Sequence, residues 1–159
     1  TLSSSSAASD VYKRQVETWV RPGGDKLVLA KPNTFMNVSG TPVAALARFY
    51  SVPPEQVIVV HDELDIPFDT VKLKIGGGHG GHNGVRDIAR ALTTPEFPRV
   101  RVGIGRPVGR QDPADWVLSP FGKDERANLP ILVSDGADAV ELLVEEGLLS
   151  AQQKHHAPR

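Results

Sequence analysis

Val71-Lys-Leu-Lys-Ile-Gly-Gly-Gly-His-Gly-Gly-His-Asn-Gly84, followed by Val85, Ile88, Ala89 and Leu92, decides the fold class of this 159-residue chain. Val71, Leu73 and Ile75 alternate with Lys72 and Lys74, the period of a strand with one apolar face. Val85, Ile88, Ala89 and Leu92 recur at i, i+3, i+4 and i+7, the period of an amphipathic helix. Six glycines lie between the two patterns. Strand, glycine loop and helix in succession are the building unit of an α/β protein.

Downstream, Val100, Val102 and Ile104 alternate with Arg99 and Arg101, so a second strand sends a basic pair to one face. Upstream, Val57-Ile-Val-Val60 is a continuous β-branched run, the pattern of a strand covered on both faces. It ends at His61-Asp62-Glu63-Leu64-Asp65, which places polar groups past the C-terminal end of a buried strand, where open α/β sheets bind ligands. Val16–Val20 and Leu27–Ala30 read as a hairpin around Arg21-Pro22-Gly23-Gly24-Asp25. A helix is predicted after Gly40, with Pro42 in its first turn, ending before Pro53-Pro54. A last helix is predicted from near Asn128, as N-cap with Pro130 in the first turn, to Glu146, with Gly147 as the stop. The fold expected is a three-layer α/β single domain over residues 16–149, with a mixed, mostly parallel central sheet. Residues 1–15, serine-rich and without periodicity, read as a disordered leader, and 150–159, with His155-His156, as a polar tail.

The chain has no cysteine, which excludes disulfides, thiol catalysis and thiolate metal sites. No run approaches the ~18 apolar residues a membrane span requires. These features fit a cytoplasmic protein without a membrane partner. The net charge of −1 hides a segregation. From Lys72 to Arg110 eight basic residues face two acids, and from Asp112 to Glu146 nine acids face two basic residues. That asymmetry permits an anion-binding face, although ordinary solvated charge produces it equally well.

Several segments have two readings. The glycine loop lets backbone N–H groups approach a ligand ahead of a helix N-terminus, or is a flexible connection. It lacks the Gly-Lys-Ser/Thr of a phosphate loop. Asn83 is a ligand contact or an N-cap. His79 and His82, with His61 and Asp62, raise a metal site, against solvated or backbone-bonded histidines. Asp62, Glu63 and Asp65 are paired carboxylates for acid–base work, an orienting acid for a histidine, or a solvated strand end. Phe35 and Met36 are core residues or an apolar platform. Asn37 both donates and accepts, which suits a carbonyl or a ribose hydroxyl. Lys72, Lys74, Arg99 and Arg101 form a candidate phosphate patch.

Four stretches in register resemble the bacterial peptidyl-tRNA hydrolase family. They are Lys31-Pro-Asn-Thr-Phe-Met-Asn-Val-Ser-Gly40, Val59-Val-His-Asp-Glu-Leu-Asp-Ile-Pro67, the segment Lys72 to Gly84 quoted above, and Phe97-Pro-Arg-Val-Arg-Val-Gly-Ile-Gly-Arg-Pro107. The resemblance runs from about Val16 to Leu149. It implies hydrolysis of the ester between a peptide and the terminal ribose of tRNA, in the cytoplasm, by a monomer without metal or cofactor. It also implies that Asp62 holds and polarises a catalytic histidine, and that Phe35, Asn37, His82 and Asn83 line the cleft for the peptide and the tRNA 3′ end. Lys72, Lys74 and Arg101 would grip tRNA phosphate, and a helix around Asp112 to Phe121 would cover the cleft as a lid.

The pattern departs from the family at its start. The family's first strand, its Gly-Asn-Pro-Gly loop and its Arg-His-Asn segment, which carries the general base, have no counterpart in residues 1–159. The expectation is therefore a domain without the family's first strand and helix, nearly inactive as written, with poor solubility from exposed strand edges. A rival reading is an RNA-binding protein on the same scaffold without catalysis.

Overall fold

The structure, a computed structural model, describes residues 2–4, 14–20, 23 and 26–156. It divides into two compact units interleaved along the chain, residues 1–57 with 77–95, and residues 58–76 with 96–159.

The first unit opens with a three-stranded antiparallel sheet. Strand β1 (Leu2–Ser4) pairs with β2 (Arg14–Val20), which pairs with β3 (Lys26–Pro32) in the expected hairpin. The expected disordered leader therefore includes paired backbone at both its ends, since β2 has a second edge whose N–H and C=O groups another strand can satisfy. Residues 5–13 of that leader lie outside the described residues. Helix α1 (Gly40–Phe49) begins where Gly40 and Pro42 predict, and Leu46 packs on Val16 with Val28 and Tyr50 around them. Helix α2 (Asn83–Leu92) follows the glycine loop and buries Val85 and Ile88, as the periodicity requires. The two helices meet closely. Gly40 N donates to Asp87 Oδ2 at 2.7 Å, and a Cβ on Gly40 would run into the Asp87 backbone carbonyl.

The second unit contains a mixed sheet in the order β4 (Val59–Glu63), β6 (Pro98–Gly103), β5 (Val71–Ile75). β4 runs parallel to β6, and β5 antiparallel to it. Among the described pairings β4–β6 alone is parallel, so the sheets are mixed with an antiparallel majority rather than mostly parallel. Val71, Leu73 and Val100 are buried beneath Leu132, Ala139 and Leu143 of helix α4 (Lys123–Glu146) and Ala151 of helix α5 (Leu148–His156). A shorter helix, α3 (Pro113–Leu118), precedes them.

Three expectations change here. β4 is not covered on both faces, because it stands at the end of its sheet and the helices cover the β5–β6 side. Val60, on the same face as the buried Val100, is 53% exposed. α4 begins five residues before Asn128, because Glu125 Oε1 accepts from Gly122 N and caps the helix there. Pro130 lies inside that helix, where burial of Leu129 and Leu132 on the sheet offsets its missing donor. The polar tail is helical. α5 lies along β5, with Ala151 buried and side chains bonded to the strand's outer edge.

Candidate functional site

In the first unit the candidate groups gather at the start of α2. Residues Met36–Val38 form a 3-10 turn that packs against α2. Gly84 makes this possible, since a Cβ there would lie 2.9 Å from Met36 Cγ and 3.0 Å from the His82 ring. Phe35, immediately before the turn, is 86% exposed, which overturns its reading as a core residue. Asn37 on the turn and Asn83 on the first helical position are both exposed. An aromatic ring and two side-chain amides are thus exposed on and beside two packed elements, with donors and acceptors suited to a carbonyl, a hydroxyl or a base.

The N-cap of α2 is His82 rather than Asn83. Its Nδ1 accepts from Val85 N at 3.1 Å, so the half-buried imidazole does the work the sequence assigned to the neighbouring amide. His79 plays a similar local part, with Nδ1 accepting from Gly81 N at 3.0 Å and its carbonyl from His82 N at 2.9 Å. Gly76, Gly77, Gly80 and Gly81 all have positive φ, between 59° and 84°. Side chains at these four positions would strain the backbone.

In the second unit the strand register aligns the cations. Lys72 is paired with Arg101 and Lys74 with Arg99, so all four stem from one sheet face, opposite the helices. His61 joins that face beside Arg101, with its Nδ1 bonded to the Asp62 carbonyl at 2.8 Å. Lys72 is exposed and Lys74 and Arg101 are half-buried. Burial, then the charges of Arg99 and Arg101, push the Lys74 pKa down, while Glu63 opposes them. Such mutual repulsion is relieved by a bound anion. Arg99 differs from the expectation of an outward basic pair. It is 1% exposed, with its guanidinium stacked 4.6 Å from the Phe97 ring centroid and Glu96 offsetting its charge.

The acidic trio does not act as one cluster. Asp62 and Glu63 are consecutive on β4 and so project from opposite faces. Asp65 is tied to Arg106 at 2.6 Å, a bond that holds its carboxyl below the ordinary range. Asp62, half-buried, follows Val60 on the face that carries Val102. On α3, Asp112 Oδ1 caps Ala114 N and the Trp116 indole N–H donates to the Gly105 carbonyl at 2.8 Å, which anchors the helix while Leu118 remains exposed.

Sequence reasoning missed His156 and Gln152. Gln152 Nε2 donates to the Leu73 carbonyl at 3.1 Å, and Leu73 N donates to His156 Nε2 at 2.9 Å. A signal was present, because Leu148, Ala151 and Gln152 continue an i, i+3, i+4 spacing past Gly147.

A sequence profile of the family described as peptidyl-tRNA hydrolase matches residues 2–159. The peptidyl-tRNA hydrolase of Pseudarthrobacter chlorophenolicus is 64% identical over 134 residues, 84% of this chain and 68% of that protein. The one from Nocardia farcinica is 61% identical over 136 residues, 86% of this chain and 70% of the relative. The crystal structure of peptidyl-tRNA hydrolase from Acinetobacter baumannii superposes with a TM-score of 0.80 at 31% identity, covering 96% of this chain and 82% of the other.

Proposed function

Since the chain belongs to the peptidyl-tRNA hydrolase family, a family of hydrolases, we propose that it serves the cleavage of the ester that joins a peptide to tRNA, freeing the tRNA for translation. The observation that carries this reading is the exposed Phe35 and Asn37, on and beside a turn that packs against α2, the helix whose first residue is the exposed Asn83. In a hydrolysis without a covalent intermediate, water attacks the ester carbonyl while a base removes its proton, and donors hold the developing oxyanion. Asn37 and Asn83 fix the carbonyl and the water, and Phe35 offers its ring to the 3′-terminal nucleotide or the peptide. His82 holds the amide in place by capping the helix beneath it. Asp62 orients the imidazole that acts as base and stabilises its protonated form. Lys72, Lys74 and Arg101 hold backbone phosphate without reading sequence. Asp112 to Phe121 forms a cover over the bound substrate.

The histidine implied by the family's Arg-His-Asn segment is not among residues 1–159. A polypeptide of these residues alone therefore binds peptidyl-tRNA and cleaves it slowly, by roughly 10²–10⁴-fold relative to a protein that carries the base. The test is a cleavage assay with and without added imidazole. A rate that rises with imidazole beyond the buffer control, and loses that rise in Asn83→Ala, is expected. Full-rate cleavage without imidazole would overturn the requirement for the missing base. Binding with no imidazole-dependent cleavage would favour an RNA-binding protein instead.

A further inference from the structure

We infer that Lys72, Arg101 and His156 form one phosphate-binding subsite at the outer edge of β5, which gains a third positive charge when the His156 imidazole takes up a proton. This deepens the proposed function and rests on its reading of the strand face as the site of tRNA phosphate.

Lys72 and Arg101 are cross-strand partners, so their side chains leave the sheet side by side. Arg101 Nε is buried and has no hydrogen-bond partner, which leaves one donor of that guanidinium unsatisfied. The third member arrives from α5, which packs along β5. Gln152 and His156 meet the carbonyl and the N–H of Leu73, the two groups that a further strand would have paired. Because Nε2 accepts from Leu73 N, the imidazole is neutral in this arrangement and carries its proton on Nδ1.

The charged groups facing the ring are Lys72 from β5, Arg101 from β6 and His155 from its own helix, while α4 contributes none that acts on it. Burial, followed by those three neighbours, lowers the His156 pKa from its ordinary value. A phosphodiester bound between Lys72 and Arg101 supplies the counter-charge the ring lacks. The imidazole then takes a proton from solvent at Nε2, gives up the bond from Leu73 N to water, and turns its N–H groups to the phosphate. Phosphate binding and proton uptake are thereby linked, and each favours the other.

Uncharged tRNA is the probe. Binding to the whole chain is followed from about pH 8 to about pH 5.5, where imidazoles change charge, together with the NMR titration of the His156 ring. Affinity is expected to tighten as pH falls, by up to about tenfold per pH unit where one proton is taken up. Added tRNA is expected to move the His156 midpoint upward. His156→Gln, whose side-chain oxygen still accepts from Leu73 N, should lose that part of the pH slope. An unchanged slope in the variant, with an unmoved His156 midpoint in the wild type, overturns the inference and leaves salt-sensitive tRNA binding standing. No salt-sensitive binding by the wild-type chain at any pH overturns the reading of the strand face, and the subsite with it.

Discussion

Phe35 and Arg99 show how a single side chain departs from its average behaviour. Phenylalanine is usually buried, yet Phe35 is held out ahead of a turn by a backbone in which Ser39 and the Met36 carbonyl bond locally. Arginine is usually exposed, yet Arg99 is buried against the Phe97 ring face, where burial lowers its pKa and Glu96 offsets only part of that cost. The Phe35 geometry gives a direct test. Phe35→Ala should change folding stability by no more than about 0.5 kcal/mol, as expected for an exposed position. It should weaken peptidyl-tRNA binding several-fold, since stacking of a base on an aromatic ring contributes roughly 1–3 kcal/mol. Thermal melts and binding titrations on the same preparation check both parts, and a large loss of stability would return Phe35 to the core.

At the scale of elements, the junction between α1 and α2 depends on one carboxylate. Asp87 accepts from Gly40 N at 2.7 Å and from Arg90 Nε at 2.9 Å. Burial would raise its pKa, but the bonds from Arg90 and Gly40 outweigh that and leave it lowered. A carboxyl whose folded pKa lies below its unfolded value, about 3.9 for aspartate, stabilises the fold above that pH and ceases to do so as pH falls through the folded pKa. Asp87→Asn should therefore cost about 0.5–1.5 kcal/mol at neutral pH, with the difference from wild type shrinking below about pH 4. Denaturant unfolding at neutral and acid pH checks the sign. A constant difference would mean that Asp87 acts through shape rather than charge. α5 is the second instructive element, since it satisfies an edge strand with side chains instead of a further strand.

For the molecule as a whole, segregated charge acts through strand register. A net charge of −1 predicts no attraction to RNA, but the pairing of β5 with β6 gathers Lys72, Lys74 and Arg101 on one face. If that face holds tRNA, log affinity should fall linearly with log salt, with a slope of roughly −0.7 to −0.9 for each phosphate neutralised. Lys72→Met with Lys74→Met should flatten that slope by about 1.4–1.8 and leave the fold intact, because both side chains project away from the helix-covered core. A salt series on wild type and the double variant measures it, and equal slopes would place tRNA elsewhere on the surface.

Local patterns determined a good deal by themselves. The strands at Val71 and Val100, α1, α2, the β2–β3 hairpin and the α/β class were legible because each follows from spacing, glycine or proline within a few residues. The candidate site residues were legible as motifs. Lys72 with Lys74, and Arg99 with Arg101, were legible as one face of each strand, because period two fixes faces within a strand. The pairing of β5 with β6 brought the two sets together. What covers a face is not written in its period. The burial of Arg99, the exposure of Val60 and the bonding of His156 to Leu73 depend on residues up to 83 positions apart meeting in space. Those were decided by tertiary structure, since burial and hydrogen-bond satisfaction belong to the packed whole rather than to any segment.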